Sequence, residues 1–522
     1  MSSADVGAAA TPKPVYSGTY KGVVLALLVI AYTLNFVDRS IIATIGQAIK
    51  DDLKISDTQL GLLGGLYFAL LYTLLGIPIA RLAERTNRVN IISAAIVIWS
   101  GFTALCGSAQ NFAMLAAYRF GVGFGEAGLS PPAHSLISDY FEPKKRASAL
   151  SIYSFGIPAG TMVGAILGGW LAQNFSWRVA FVMVGLPGIL IAILIKLVIK
   201  EPPRGHSEPD GGRATEARKP FSLKEEFKEL GIVAGTLFGK WPVFNMVMGV
   251  TLCSFGSYGS GQFVAPYFAR VYGAVGGHAD WTWAQFFADP TAPYGLDIAR
   301  IGLITGIVGG ISSGIGTLAG GIITDRLSKR SARWYSLTPA IGLTIAAPIY
   351  ALAYLQSSWL ATVLILLIPG IFHYTYLGPT FGVVQNMVDT RRRATATALL
   401  LFFLNLIALG GGPPFTGWVI DHFAQFNFTH GTSHNLIESI KMMWAGGADG
   451  TSFATTCPGG KAPAGAGAEL AGQCRGALSS ATRSGIIVSF GFYLWAAVHY
   501  FLGSIGLVGA MAKARAARGE VD

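Results

Sequence analysis

Four ionisable side chains stand inside long apolar stretches of this sequence: Asp38, Arg39, Arg119 and Glu126. A charge in an apolar medium is costly unless it is paired, neutralised or turned toward water. Two carboxyls beside two guanidiniums can do two kinds of chemistry. Burial favours the protonated carboxyl and a neighbouring arginine favours the carboxylate, so a change of access can load or release a proton. Arginine also matches phosphate with paired N–H donors. Arg119, Gly123, Glu126, Ser130 and His134 step by four, three, four and four, which places them on one face of a helix. Along the axis, Arg119 and Glu126 are about 10.5 Å apart, with Gly123 leaving an opening between them. Asn35, one turn before Arg39, joins Arg39, Arg119, Ser130 and His134 as a candidate substrate contact. Two readings of the charges stand: a fixed ion-pair cluster joining two helices, or a proton-coupling site built on Asp38 and Glu126. Apolar residues can replace a buried pair with little loss, so stability alone is a weak reason to keep one.

The elements that hold these residues follow from composition. The chain has 522 residues, 52% of them hydrophobic and only 12% charged, with a net charge of +11. Soluble domains carry roughly 25% charged residues, and a single water-soluble core stops growing near ~250–300 residues. The apolar surplus must face lipid, and an all-α integral membrane protein is expected. Disorder is excluded by the hydrophobicity. No basic face interleaved with exposed aromatics points to nucleic acid.

Stretches long enough to cross ~30 Å of hydrocarbon run at 20–45, 59–81, 89–109, 112–137, 146–172, 177–199, 242–270, 300–324, 335–355, 359–387, 393–421 and 483–511. Twelve spans therefore form a six-helix bundle over 20–199 and another over 242–511, between tails at 1–19 and 512–522. The linker, 200–241, ends in an amphipathic segment whose Leu223, Phe227 and Leu230 recur at helical spacing, suited to the membrane surface. Counting residues near span ends with the nearer face, 27 Lys/Arg lie on the side of the termini, 9 on the other and two, Arg39 and Arg119, well inside spans, which orients both termini to the cytoplasm. The polar, Ala-rich residues 1–19 do not read as a cleavable signal. The external loop 422–482 carries Cys457 and Cys474, a candidate disulfide in an oxidising compartment, whereas Cys106 and Cys253 read as small buried side chains.

The halves resemble each other. Ala80-x-x-x-Glu84-Arg85-x-Asn87-Arg88 recurs as Gly321-x-x-x-Asp325-Arg326-x-Ser328-Lys329-Arg330, Arg146-Ala147-Ser148-Ala149 as Arg393-Ala394-Thr395-Ala396, and Gly169-Trp170 as Gly417-Trp418, at offsets of 241, 247 and 248. Parallel repeats of this size are the pattern of the major facilitator fold, two pseudo-symmetric six-helix bundles. At these motifs the resemblance becomes specific. ARLAERTNR resembles the facilitator loop signature between helices two and three, and Gly156, Gly160, Gly164 and Gly168 resemble the glycine-rich helix of facilitator antiporters. Within the superfamily, NFVDRS at 35–40, DTQLGLLGGLYFALLYTLLGIPIARLAER at 57–85, YRFGVGFGEAGLSPPAHSLISDYF at 118–141 and SWRVAFVMVGLPG at 176–188 resemble the spinster-like family. LAGGIITDRLSKR and GGPPFTGW extend that resemblance thinly into the second half. It implies a lysophospholipid or sphingoid-phosphate transporter with proton coupling at the acidic positions. Ala80, Glu84 and Asn87 depart from the usual Gly, Asp and Gly of the loop signature.

The register adds candidates. Glu126 maps onto His373, read either as a helix-contact histidine or as a second polar contact for substrate. Phe255, Tyr258, Gln262, Tyr374, Phe402 and Asn405 are candidate cavity residues of a second half that is poor in charge. The loop residues Arg81, Glu84, Arg85, Arg88, Asp325, Arg326, Lys329 and Arg330 are read as a cytoplasmic gate, with simple anchoring as the alternative. Drug or organic-anion efflux is the alternative transport reading. A lipid enzyme lacks its nucleophile–base pair or metal ligands, and ATP drive lacks a phosphate loop. The expected partners are a lipid-like small molecule, protons and the bilayer, with no cofactor, no metal and no nucleic acid, in a monomer of the bacterial inner membrane.

Overall fold

The computed structural model describes residues 16–207, 223–273, 281–289, 294–388, 392–432, 441 and 452–517. Ten helices among the described residues are long and apolar enough to cross a membrane. An eleventh candidate is the pair Lys228–Phe238 and Trp241–Val271, bent by 94°. Span four, which carries Arg119 and Glu126, is broken: Phe112–Glu126 and Ser130–Tyr140 are separated by a turn at Ala127–Leu129. The expectation of a single helical face from Arg119 to His134 is therefore corrected.

Side-chain caps set where several spans begin. Ser17, Asn87, Asn111, Ser176 and Asp297 each accept a backbone N–H of the first turn, and Ser56 with Gln59 forms a reciprocal capping box. Leucines, isoleucines and tryptophans such as Leu197, Leu318, Trp495 and Val498 stay exposed along the outward faces. In water that pattern would aggregate; in a bilayer it is the solvent-facing surface. This is a multi-pass, all-α membrane protein.

The face that carries Tyr16 and the last described helix is here called the terminal face, and its opposite the distal face. Two pseudo-symmetric helix pairs join the halves at distal and middle depth. Span five (Gly156–Asn174) packs on span eight (Ile298–Ser328), and span two (Asp57–Arg85, interrupted at Gly65) packs on span eleven (Gly410–His430). Glycine sets both crossings. A Cβ on Gly169 would lie 2.6 Å from the carbonyl oxygen of Ile298, and one on Gly417 would lie 2.2 Å from that of Asp57. Ile298 and Asp57 are themselves related by the repeat offset of 241. The stripe Gly156, Gly160, Gly164 and Gly168 has a different partner, the backbone and side chains of span one (Gly18–Thr44) within the same half.

Three boundaries differ from the sequence expectation. Span twelve begins at Ala468 rather than 483 and ends at Ser504, so residues 507–517 form a separate helix. Span eleven runs on to His430, and with a short helix at Phe453–Thr456 the 422–482 segment is largely helical where it is described. Helical hydrogen bonding continues past the hydrocarbon because these turns pack on each other: Asn427 Nδ2 donates to Ala477 O at 3.3 Å. Cys457 and Cys474, the latter inside the span-twelve helix, are joined by a disulfide with Cα atoms 5.8 Å apart. The linker helix spans Leu223–Phe238; the side chains of Leu223 and Phe227 lie outside the described residues. Cys106 and Cys253 are buried free thiols.

Candidate functional site

Span one presents Asn35, Asp38 and Arg39 on adjacent turns, and span four brings Glu126 to meet them. Arg39 Nε donates to Glu126 Oε2 at 2.6 Å. Its guanidinium also lies over the rings of Phe36, Phe68 and Tyr72, at 5.0, 4.8 and 4.5 Å. Such contacts partly replace the hydration that a buried cation loses. Arg119 is 1% exposed, donates from Nε to Leu63 O at 3.2 Å, and its guanidinium carbon lies 5.3 Å from the centroid of the same Phe68 ring. Asp38 accepts from Thr103 Oγ1 at 3.1 Å. The four charges therefore do not form one closed cluster. Among the described residues, Asp38 Oδ1, Glu126 Oε1 and one guanidinium nitrogen of Arg119 have no hydrogen-bond partner.

Gly123 does not leave the expected opening. Its missing Cβ admits the Phe68 carbonyl, which would otherwise stand 2.3 Å away. The glycine thus seats span two against span four and delivers Phe68 between the two arginines. Phe68, Tyr72 and Thr103 were missed as site residues. The four-residue spacing of Phe68 and Tyr72 was the available signal, but aromatic residues at that spacing are ordinary packing in most helices.

Arg39 keeps 20% of its side chain exposed, whereas Asp38, Glu126 and Arg119 are buried. His134 is exposed, its ring 5.3 Å from that of Tyr153 in an edge arrangement; Ser130 lies between it and Glu126 in sequence, and Asn35 is buried. Across the gap between the halves, Tyr258 at the middle of span seven is 42% exposed and has Arg39 and Tyr72 among its electrostatic neighbours. Tyr374 lies beside it, half-buried. The second half meets the first with aromatic and hydroxyl groups rather than charge.

Other expected residues take different places. His373 is buried inside the second half, bonded to Ser257 Oγ at 2.7 Å and stacked on Tyr493 at 4.6 Å, so the geometry gives it the helix-contact role. Phe255 packs on Phe415 and Phe492 between spans seven, eleven and twelve. Gln262 is buried against Gly64 of the first half, as close contact rather than open lining. Phe402 and Asn405 are half-buried, and Asn405 sits in a π-helical turn, Leu404–Leu409, where the widened backbone interrupts span eleven.

On the terminal face Arg88 is wholly buried. It binds Asp139 at 2.5 Å, Glu201 Oε1 at 2.6 Å and Ser135 Oγ at 2.8 Å, all within the first half. Its expected gate role is corrected: it ties span three to the ends of spans four and six. Arg85, Asp325, Arg326, Lys329 and Arg330 are exposed, Arg81 is half-buried, and the Glu84 side chain lies outside the described residues. The inter-half charges lie on the distal face instead. Asp57 pairs with Lys50 at 2.7 Å and with Arg270 of span seven at 2.6 Å, all nearly excluded from solvent. From span eleven, Asp421 accepts the backbone N–H groups of Asp57 and Thr58 at 2.9 and 2.8 Å and so caps span two in trans.

This arrangement, two six-helix halves with a repeat-related interface and a charged site between them, is the architecture of a secondary transporter. The sequence pattern of the Major Facilitator Superfamily matches residues 28–288, and the chain belongs to that superfamily: it is a transporter, not an enzyme. Within it the protein is spinster-like. The crystal structure of a bacterial homolog to the human lysosomal transporter Spinster, inward-facing and unoccupied, superposes with a TM-score of 0.76 and 32% identity, covering 96% of this chain and 99% of that one. Protein spinster homolog 1 of Mus musculus is 29% identical over 77% of this chain and 74% of its own length. An MFS-type efflux pump of Mycolicibacterium smegmatis is 28% identical over 76% of this chain and 84% of its own.

Proposed function

We propose that this protein is a proton-coupled transporter of a single-tailed amphiphile with a phosphate head group, a lysophospholipid or sphingoid phosphate, working by alternating access from a bacterial inner membrane with both termini in the cytoplasm. One observation carries the reading: Arg39 is held by Glu126 yet keeps 20% of its side chain exposed, and we read that edge as facing the gap between the halves. A phosphate entering that gap competes with Glu126 for the same guanidinium, and a carboxylate that loses its cation in a dry site is favoured to take up a proton. Substrate and proton thus exchange on Arg39, while Asp38, held by Thr103, is the second proton carrier. Phe68 passes the position of Arg39 on to Arg119, which acts as a positioning residue. Tyr258, Tyr374 and Phe402 offer an apolar wall for the tail, where each buried CH₂ contributes ~0.8 kcal/mol. The Asp57–Arg270 clasp joins the halves on the distal face in this conformation, which supports access to the site from the terminal face, read here as cytoplasmic.

The test is uptake into proteoliposomes of a lysophosphatidate and its dephosphorylated counterpart, with and without an imposed proton gradient. Arg39→Ala is expected to lower transport of the phosphorylated lipid at least about tenfold more than that of the other, the loss of one charge-assisted contact. Equal transport of both lipids by the unaltered protein would overturn the reading. A second reading, proton-driven efflux of assorted amphiphiles, is favoured by the similarity to the mycobacterial efflux pump, and indifference to the phosphate would select it.

A further inference from the structure

Three of the few cations on the distal face converge on one open cavity that the transport site does not use. Arg475, Ser479 and Arg483 follow one another at four-residue steps along span twelve, and with Arg270, Thr432 and Ser480 they line a depression of about 550 Å³. Four-residue steps keep side chains on one helix face, and the two arginines are about 12 Å apart along its axis. Gly472 and Gly476 border the opening with nothing within 4 Å of where a side chain would begin, so the mouth is unobstructed. Among the described residues, no acidic side chain lines the cavity. Arg483 Nε is shut off from solvent and, among the described residues, has no hydrogen-bond partner; neither Arg483 nor Arg475 has a carboxylate partner there. Arg475 and Arg483 repel one another, and an anion between them would offset that repulsion; Ser479, whose hydroxyl donates to Arg270 O at 2.9 Å, still offers its oxygen as an acceptor.

The geometry points to a second, distal binding site for a phosphate-bearing anion, separate from the site around Arg39 and independent of the substrate assigned to it. Arginines flanking a concave wall with serine hydroxyls between them suit a phosphate's several acceptor oxygens. The third arginine links this site to the transport cycle. Arg270 contributes to the cavity wall, yet its guanidinium is committed to Asp57, Gln47 and Thr482 while the distal face is closed. Arg270 belongs to span seven and Asp57 to span two, so parting of the halves on this face strips Arg270 of its carboxylate and leaves a third cation for the anion. The anion therefore binds the distal-open state more tightly, and by reciprocity its binding favours that state.

The experiment uses the full chain in phosphatidylcholine nanodiscs, titrated calorimetrically with inorganic phosphate. In parallel, native mass spectrometry follows retention of phosphatidylglycerol against phosphatidylcholine. The paired variant Arg475→Gln and Arg483→Gln is expected to weaken at least one of these by about tenfold or more. Arg178→Gln, which removes a distal cation paired with Asp52, should leave both unchanged. Phosphate binding in neutral discs identifies a free anion as the ligand, and selective retention of the anionic lipid identifies a membrane headgroup. Binding of neither probe, or equal loss in the Arg178→Gln control, overturns the site. Spin-label distances across the distal face should lengthen with the ligand in the unaltered protein and not in the paired variant; binding without that change would overturn the link to opening.

Discussion

Arg39 occupies an unusual position for a cation in a membrane span, with one carboxylate, three aromatic rings and a partly open edge. Each ring contributes about 0.5–2 kcal/mol, depending on desolvation, so the guanidinium is held even when Glu126 lets go. That persistence is what an exchange of proton for substrate requires. Asp38 differs: among the described residues its hydrogen-bond partner is the neutral Thr103 hydroxyl. An amide can accept the same hydrogen bond but cannot take up a proton. Asp38→Asn is therefore expected to keep the fold and the melting temperature while removing most of the pH dependence of the inward–outward equilibrium, read as spin-label distances across the distal face between pH 5 and 8. An unchanged profile would assign the proton to Glu126 alone.

At the scale of elements, the closed distal face depends on backbone approaching backbone. Gly169 of span five and Gly417 of span eleven are symmetry mates, and each meets the first turn of a helix from the other half, span eight and span two respectively. Close approach lets weak packing forces act over a long crossing, as small residues do elsewhere in membranes. A methyl at Gly417 would stand 2.2 Å from the Asp57 carbonyl oxygen and 2.8 Å from the Thr58 nitrogen. Gly417→Ala should thus shift the protein toward the distal-open state, raising the labelling rate of a cysteine placed beneath the clasp. Gly314→Ala, where nothing lies within 4 Å, should leave that rate unchanged and add about 0.5–1 kcal/mol of helix stability. The glycines of span five belong to a different contact. They bind span one inside one half, so they hold the bundle together rather than slide between the halves.

For the whole molecule, closure of the distal face is layered: the glycine crossings, the Lys50–Asp57–Arg270 cluster with Asp421 over it, and the disulfide-held segment above. That segment reaches across the halves, since Lys461 pairs with Asp51 at 2.6 Å and Gly459 lies against the Lys50 carbonyl. Cys457 and Cys474 are buried as well as bridged. A membrane-impermeant maleimide applied to intact cells or spheroplasts should label neither until a reductant is added, and both afterwards. Labelling without reductant would show free thiols and remove the staple from this account.

Much of this was legible in the sequence for a physical reason. Apolar length, the absence of charge and a repeat of about 247 residues report how a chain satisfies its backbone in lipid, and that demand acts on each span separately. Intramembrane charge is legible in the same way, because its cost is local. The sequence by itself therefore pointed to the membrane-spanning helices, their repeat and the four intramembrane charges Asp38, Arg39, Arg119 and Glu126. Which charge meets which was decided only by the tertiary structure. Gly123 admits a carbonyl and not a cavity, Phe68 stands between the arginines, Arg88 turns inward to its own half, and the residues that join the halves gather around Asp57 and Arg270 on the distal face. Each of these depends on the angle and depth at which two helices cross. Those are set by contacts between residues hundreds of positions apart, and no local pattern carries them.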